Sequence, residues 1–391
     1  MTLPSPSLDA APAGAPAYRA LRAPLHDPLH APLHQPLHER LPDGGVAVGC
    51  FDEKLALAVL FALPAPISAL KVRYKKNCEQ DLKNRKEIQF VMSMIALFGA
   101  LESGLIYALV ALGVLISFRI LDFPDLTADG SFPLGGAVAA VCIVNGINPW
   151  LACAAGMAAG ACAGVVTAWL HVSLKILQLL ASILVMVALY SVNLRIMGAP
   201  NVPLIGEQTV FTPFVAADFS NQFWVQPLII LGFVIAAKLL LDWFFSTEAG
   251  LSMRATGANG RMARAQGVGT SKMIIIGMAL SNALIALGGA LFVQTQGGAD
   301  ISIGVGTIVI GLAAVIIGET LLPSKRIWMV VLSVIVGAVL YRLFIALALG
   351  SDTLRGIGFG PQDLNLLTAI LVVIALRMPY IKRWLQRKKT S

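Results

Sequence analysis

The sequence predicts an all-α fold, a polytopic transmembrane helical bundle with about eight to nine spans and an interrupted early helix. Three observations carry this. The 391 residues are 57% hydrophobic and only 13% charged, where soluble domains carry roughly 25% charge. Mean hydropathy is +0.78. Apolar stretches close to the roughly 20 residues that a bilayer crossing takes recur from residue 94 to residue 380.

The stretches run over 94–116, 132–145, 150–170, 176–194, 223–245, 273–296, 303–322, 327–349 and 364–380, the second of them short. Glycine and alanine are dense in them, as in AAGMAAGACAG at 154–164. Small residues let helix backbones approach where lipid supplies no hydrophobic drive. Charge sets the orientation. The tail RMPYIKRWLQRKKTS, the turn Pro323–Arg326, the island 246–272 and the turn His171–Lys175 all carry the Lys/Arg excess of cytoplasmic segments. Loops 195–222 and 349–363 then lie outside. Loop 195–222 has prolines and aromatics but no lysine, and offers an external docking surface. The count shifts by one if 132–145 is re-entrant.

Residues 1–91 differ from the rest and read as a low-complexity extension. PLHDPLHAPLHQPLH places His26, His30, His34 and His38 four residues apart. Proline at every fourth residue forbids a helix, so the imidazoles do not converge on a metal. Leu55–Leu70 is apolar but interrupted by Pro64 and Pro66, and Asp52 and Glu53 precede it where a signal peptide would be basic. Arg85-Lys86-Glu87 is encodable by a purine run resembling a ribosome-binding site, just upstream of Met92 and Met94. The expectation is that translation starts at Val91, Met92 or Met94. Residues 381–391 form a basic cytoplasmic tail.

Several chemistries find no residues here. The five cysteines contain no CxxC pair, so neither a structural zinc site nor any other metal site is expected. No Walker A, HExxH or GxSxG pattern occurs. The chain has no ATP site and no catalytic residues of its own. The net charge of +8 sits largely in the tail and inner loops and is not a nucleic-acid footprint.

Two polar segments interrupt the apolar pattern. The first, RILDFPDLTADGSFPLGG at 119–136, sets Asp122, Asp125 and Asp129 among helix breakers Pro124, Gly130 and Pro133. Broken helices at membrane depth build solute paths, because freed backbone groups and helix ends face the solute. A solvated loop is the competing reading. Asp129-Gly130-Ser131 looks like a helix entry with Asp or Ser as its cap, and Asp122, Asp125, Asp129 and Ser131 are the candidate translocation-path residues. No basic partner is defined for the carboxylates beyond Arg119 or Arg195. Of the other intramembrane polar residues, Gln178, Asn193 and Asn282 suit interhelical hydrogen bonds, Glu102 and Glu319 lie near span ends and reach the interface, and 294–300, with Gln294 and Gln296, ends a span with polar groups that either line an exit or, more often for such amides, bond between helices. The second segment, Ser246–Lys272, carries Arg254, Arg261, Arg264 and Lys272, each costly in lipid. It must project into the cytoplasm. Within it ANGRMARAQG reads as a short helix between Gly260 and Gly267, showing Arg261 and Arg264 on one side.

These segments carry a resemblance. ILDFPDLTADGSFPLGGAVAA, GLSMRATGANGRMARAQGVGTSKMIIIGMALSNALIALGGAL and GVGTIVIGLAAVIIGE together resemble permease subunits of bacterial ABC importers of the branched-chain amino acid and ribose permease superfamily. The likeness is greatest to the group paired with binding proteins for tryptophan or tyrosine. It spans nearly the whole membrane core and implies a permease domain over 92–380 in the bacterial inner membrane. It implies that Ala258–Gln266 is a coupling helix, with Arg254, Asn259, Arg261, Met262, Arg264 and Gly267 forming the ATPase-coupling loop. The implied partners are a cytoplasmic ATP-binding subunit that holds the ATP-Mg, an extracytoplasmic solute-binding protein and a second copy of the permease. The implied cargo is a small solute, an amino acid or related compound. The alternatives are an ion-driven secondary transporter working alone, for which no convincing inverted repeat or ion site is visible in the sequence, and an intramembrane enzyme, which the His and Cys inventory opposes.

Deleting residues 1–91 is expected to leave membrane insertion and uptake intact, because that region holds no stable span. Loss of the truncated protein from the membrane fraction would show that Leu55–Leu70 is a membrane element.

Overall fold

The computed structural model describes residues 97–215, 224–324 and 326–350, with isolated positions at 94, 366, 369, 373 and 377. The His tract, Leu55–Leu70, the span expected at 364–380 and the basic tail lie outside the described residues. Helices α1 (Leu97–Ile120), α2 (Ala128–Val144), α3 (Pro149–Leu174) and α4 (Gln178–Met197) are followed by a short strand β1 (Asn201–Pro203) and a single turn α5 (Thr212–Val215). Then come α6 (Val225–Ser246), α7 (Glu248–Ala258), α8 (Gly260–Ala265), α9 (Thr270–Gln296), β2 (Gly298–Asp300), a 3-10 turn (Ile301–Gly304), α10 (Thr307–Leu321) and α11 (Ile327–Gly350). Among the described residues, seven helical segments are long and apolar enough to cross a membrane, and α2 is a shorter apolar helix. The all-α multi-span bundle with an interrupted early helix is what forms.

Local chemistry sets the boundaries. Asn148 caps α3, its Oδ1 accepting from Trp150 N at 3.0 Å with Pro149 at the first helical position, where a missing N–H costs nothing. The helix stops at Lys175, which adopts a left-handed conformation (φ 56°). Along α6, Lys238 pairs with Asp242 one turn on, so two charges in an apolar helix neutralise each other.

The core is a backbone-to-backbone assembly of α2, α3 and α9. A Cβ added at Gly289 of α9 would lie 1.9 Å from the carbonyl oxygen of Phe132, and one at Gly135 of α2 2.0 Å from that of Ala286. Gly164 of α3 meets the Met278 carbonyl as closely, at 2.2 Å. The small-residue density read from the sequence therefore marks specific crossings rather than general tolerance. By contrast α4 and α6 leave most of their surface uncovered, with Leu184, Val187, Tyr190, Leu239, Leu240 and Trp243 exposed.

The chain also contains an inverted repeat, which its sequence alone did not make convincing. Tyr107–Gly113 reads YALVALG and Asn282–Gly288 reads NALIALG. In the same register Asp122 falls on Gly297, and both take left-handed φ, 54° and 72°, at the end of a span. Asp125-Leu126-Thr127 falls on Asp300-Ile301-Ser302. In each triplet the carboxylate accepts from the backbone N–H two residues on, at 2.9 and 2.7 Å. Gly136 falls on Gly311. The directions are opposed. Gly113 packs on Ser281 and Ile285, and Gly288 on Ile106 and Val110, so α1 descends where α9 rises. Each is followed by a return without α-helix and then by a second helix, α2 or α10.

The two-stranded ribbon joins the external loops. Asn201 pairs with Asp300, Val202 with Ala299 and Pro203 with Gly298, so 195–215 and 297–306 share one end, as the charge rule requires.

Gly289→Val is expected to cost at least the ~1–3 kcal/mol typical of overpacking, because the atom it meets is a backbone carbonyl. Gly232→Val, at a site with open space around it, should leave the Tm of the purified protein unchanged.

Candidate functional site

The first candidate site is the break between α1 and α2. The last turns of α1, Leu115–Ile120, are π-helical, with Leu121 N donating to Ile116 O at 3.0 Å. Such widened turns mark functional positions in helices. The chain then turns back at Asp122 and climbs without helical structure to Thr127. Backbone at this depth must find partners inside the protein. Asp125 supplies one of them. It is fully buried, its Oδ1 accepts from Thr127 N at 2.9 Å, and its Oδ2 accepts from Asn282 Nδ2 at 2.8 Å. Ser131 Oγ, also fully buried, donates to Asn282 Oδ1 at 2.7 Å. Asn282 lies near the middle of α9, so this network sits near mid-membrane. Thr127 meets Thr167 of α3 hydroxyl to hydroxyl at 2.9 Å.

Asp129 does something the sequence did not indicate. It does not cap its own helix: α2 begins with no side-chain cap. Its carboxylate instead accepts from Ile308 N at 2.8 Å and Gly306 N at 3.4 Å, at the start of α10. A carboxylate at a helix N-terminus satisfies orphan N–H groups and the macrodipole together. Pro133 has no N–H for the Asp129 carbonyl four residues back, and Gly304 approaches that carbonyl so closely that a Cβ would sit 2.0 Å away. The starts of α2 and α10 are thus locked together.

Asp122 goes elsewhere. It is exposed and lines a cavity of about 820 Å³ at the cytoplasmic end, with Arg119, Arg254, Gly257, Glu319 and Ser324. Arg119 does find a carboxylate, but it is Glu319, at 2.7 Å, and not one of the three aspartates. The four path candidates therefore occupy three places: Asp125 and Ser131 in one network, Asp129 at the α10 start, Asp122 in the inner cavity.

The second candidate site is the cytoplasmic arm. Thr247 caps α7, its hydroxyl accepting from Gly250 N at 3.4 Å. Asn259 is extended (φ −159°) and caps α8, its Oδ1 accepting from Met262 N at 3.1 Å. On α8 only Ala263 is buried, while Arg261, Met262 and Arg264 are exposed and Met262 shows 62% of its surface. Gly267 turns the chain with φ 83° into α9. Arg254 is on α7, facing the inner cavity. The expected short helix is present.

Sequence reading missed Arg342. Its guanidinium carbon lies 4.1 Å from the Tyr107 ring centre, and Tyr107 stacks on Phe132. A cation over an aromatic face is partly compensated for lost hydration. Gln294 was expected to bond between helices, and does: its Oε1 accepts from Val210 N at 3.0 Å and its Nε2 donates to Ala290 O at 3.0 Å and Cys153 Sγ at 3.1 Å. Among the described residues no group of three or more His, Cys, Asp or Glu side chains is placed to hold a metal ion.

A broken-helix core with a cytoplasmic arm is the build of a membrane transport subunit, and the comparisons with known proteins give it a family. Residues 96–376 match the family described as branched-chain amino acid transport system / permease component, and the chain belongs to that family. It is similar to a tyrosine transport system permease protein of Clostridioides difficile, 37% identical over 72% of this chain and 91% of the relative. A ribose import permease protein of Escherichia coli is 26% identical over 72% of this chain and 84% of that protein. A probable branched-chain amino acid transport permease of Methanocaldococcus jannaschii is 26% identical over 49% of this chain. The protein is thus the multi-pass permease subunit of an ABC-type importer of a small solute in the bacterial inner membrane, a transport component rather than an enzyme.

Asn282→Ala should destabilise the folded protein by ~1–3 kcal/mol, since it strands the Asp125 carboxylate and the Ser131 hydroxyl in a buried site. Asn145→Ala, which removes an exposed bond to Val141 O, should shift the Tm far less. Equal shifts in thermal unfolding would show that the Asp125 network does not hold the break.

Proposed function

We propose that this permease moves an amino acid, of the aromatic kind named for its tyrosine-transport relative, as a dimer of two copies driven by two cytoplasmic ATP-binding subunits. ATP-Mg is held by those subunits. An extracytoplasmic solute-binding protein delivers the solute to the face carrying 195–215 and the β1–β2 ribbon. The observation that carries this reading is the α7–α8 arm. A capped helix with Arg261, Met262 and Arg264 facing water has the chemistry of a docking knob, an apolar tip flanked by charge. Arg254, Asn259 and Gly267 set its base, its cap and its exit turn.

The path reading assigns Asp122, Asp125, Asp129 and Ser131 to the gate. Asp122 already faces the inner cavity. Asp129 is half-buried at the junction of two half-helices. Asp125 and Ser131 meet the solute when the bonds to Asn282 open. The solute's ammonium group is the natural partner for these carboxylates.

Inverted repeats are also common in secondary transporters, so the energy source is tested directly. An ion-driven carrier would take up solute in vesicles without ATP and lose uptake with an ionophore. An importer of the first kind would need ATP inside and ignore the ionophore.

Arg261→Glu with Arg264→Glu is expected to leave insertion intact and abolish co-purification of the ATP-binding subunit. The charges lie in water and contribute little to the fold, while reversed charge opposes an interface. Capture of the subunit at wild-type yield would sink the docking assignment. For the path, single Asp→Asn changes at 122, 125 and 129 should retain subunit binding and lower tyrosine uptake in reconstituted vesicles, with one position dominant. Three silent changes would remove this segment from the path.

A further inference from the structure

The arm is joined to the break by one contact that neither the family assignment nor the docking reading specifies. Gly257, in the last turn of α7, lies against the carbonyl of Ile120, the end of the π-helical turn. A Cβ at Gly257 would be 1.9 Å from Ile120 O, 2.8 Å from Ile120 C and 3.0 Å from Leu121 C. No other side chain than hydrogen fits there. One turn back, buried Met253 shares a nest with Leu121 and Gly277 of α9, where an added Cβ would lie 2.4 Å from Leu121 Cδ1 and 3.1 Å from Met253 Sδ. Beyond Leu121 the chain runs through Asp122 to Asp125, and so to Asn282. At the other end of α7, a Cβ added at Gly250 would lie 2.4 Å from the Phe244 carbonyl oxygen. The α7 helix is therefore held by close backbone approaches at both ends, and its C-terminus leads through Asn259 directly into α8.

We propose that Gly257 is a positioning residue through which movement of α8 reaches the break. The contact is backbone against backbone, so a shift of α7 has no flexible side chain to absorb it. The turn it meets is π-helical, its bonds running to the fifth residue back rather than the fourth, and such turns recur at functional positions in helices. Ile120, Asp122, Gly257 and Ala258 all line the inner cavity, so the same displacement changes the cavity's wall. This rests on α8 docking the ATP-binding subunit, and the test below keeps the two claims apart.

Hydrogen exchange at amides 115–127 reads the contact. In the purified permease in nanodiscs, Gly257→Val should speed exchange there about tenfold, while Gly232→Val on α6, with open space around it, leaves it unchanged. With the ATP-binding subunit bound, trapping with ATP and vanadate should alter exchange at 115–127 in the wild type and in Gly232→Val. In Gly257→Val, or in the milder Gly257→Ala if the valine variant does not fold, the subunit should stay bound and hydrolyse ATP while that response is lost. A full response at 115–127 in the Gly257 variants, or unaltered exchange in the permease alone, would overturn the proposal. Failure of the wild type to capture the subunit would sink the docking reading instead, with the exchange measurement on the permease alone still deciding the contact.

Discussion

The structure depends on one constraint: a stretch of non-helical chain at membrane depth has no water to satisfy its backbone. Between Ile120 and Ala128 the helical ladder is absent, and each free group has to find a partner within the protein. The end of α1 takes the Leu121 and Phe123 N–H groups, and Asp125 takes the Thr127 N–H on one oxygen while its other holds Asn282. Asn282 in turn takes the Ser131 hydroxyl. A buried carboxylate is costly unless fully hydrogen-bonded, so this network is stable only with every member present. The surrounding glycine contacts follow from it. To bring α9 close enough for Asn282 to reach across to Asp125 and Ser131, α2 and α9 must cross with backbone touching backbone, which Gly135 and Gly289 permit.

The inverted repeat explains why the break has a counterpart but not a copy. In the first repeat the return segment is sealed by side chains, Asp125, Thr127 and Asn282. In the second the corresponding Asp300 and Ser302 lie at the external end beside the β1–β2 ribbon. The asymmetry matters where the two half-helices meet. The first repeat offers Asp129 and the second, at the matching position, offers Gly304. The glycine gives room and the aspartate gives charge. One carboxylate therefore serves the start of the opposite half-helix, and the two repeats are joined at their broken points rather than along their lengths.

Much of this was legible in the sequence, for identifiable reasons. Span positions followed from hydropathy, because lipid penalises buried charge by kilocalories, and the charge rule assigns 246–272 to the cytoplasm. The short α8 helix followed from its flanking glycines, although Asn259 as its cap emerged only with the fold. The break was visible as Pro124, Gly130, Pro133 and three aspartates. What those aspartates do was not, since two of them answer to groups far away in sequence, Asp125 to Asn282 and Asp129 to Ile308, while Arg119 pairs with Glu319 instead of with any of the three. Pairing across more than a hundred residues leaves no local pattern. The repeat was hidden for a related reason. Its two halves serve opposite directions, so polar positions diverge while the small and apolar register of YALVALG and NALIALG persists.

The fold by itself does not separate an ATP-driven permease from an ion-driven carrier, because both are served by inverted repeats meeting at mid-membrane. The separation lies in what the fold carries outside the repeats. Residues 225–265, spanning α6, α7 and α8, intervene between the halves and end in a helix whose exposed face has no partner within the described residues. A carrier that gates on solute and ion alone has no use for a rigid rod seated by Gly250 at one end and Gly257 at the other. A permease worked by a separate engine needs such a rod, and needs it seated on backbone, because a long flexible contact would dissipate the movement before it reached Leu121. On the proposed reading the chemical energy enters at α8 and the solute's barrier lies near Asp125. The short path between them runs through the π-helical end of α1.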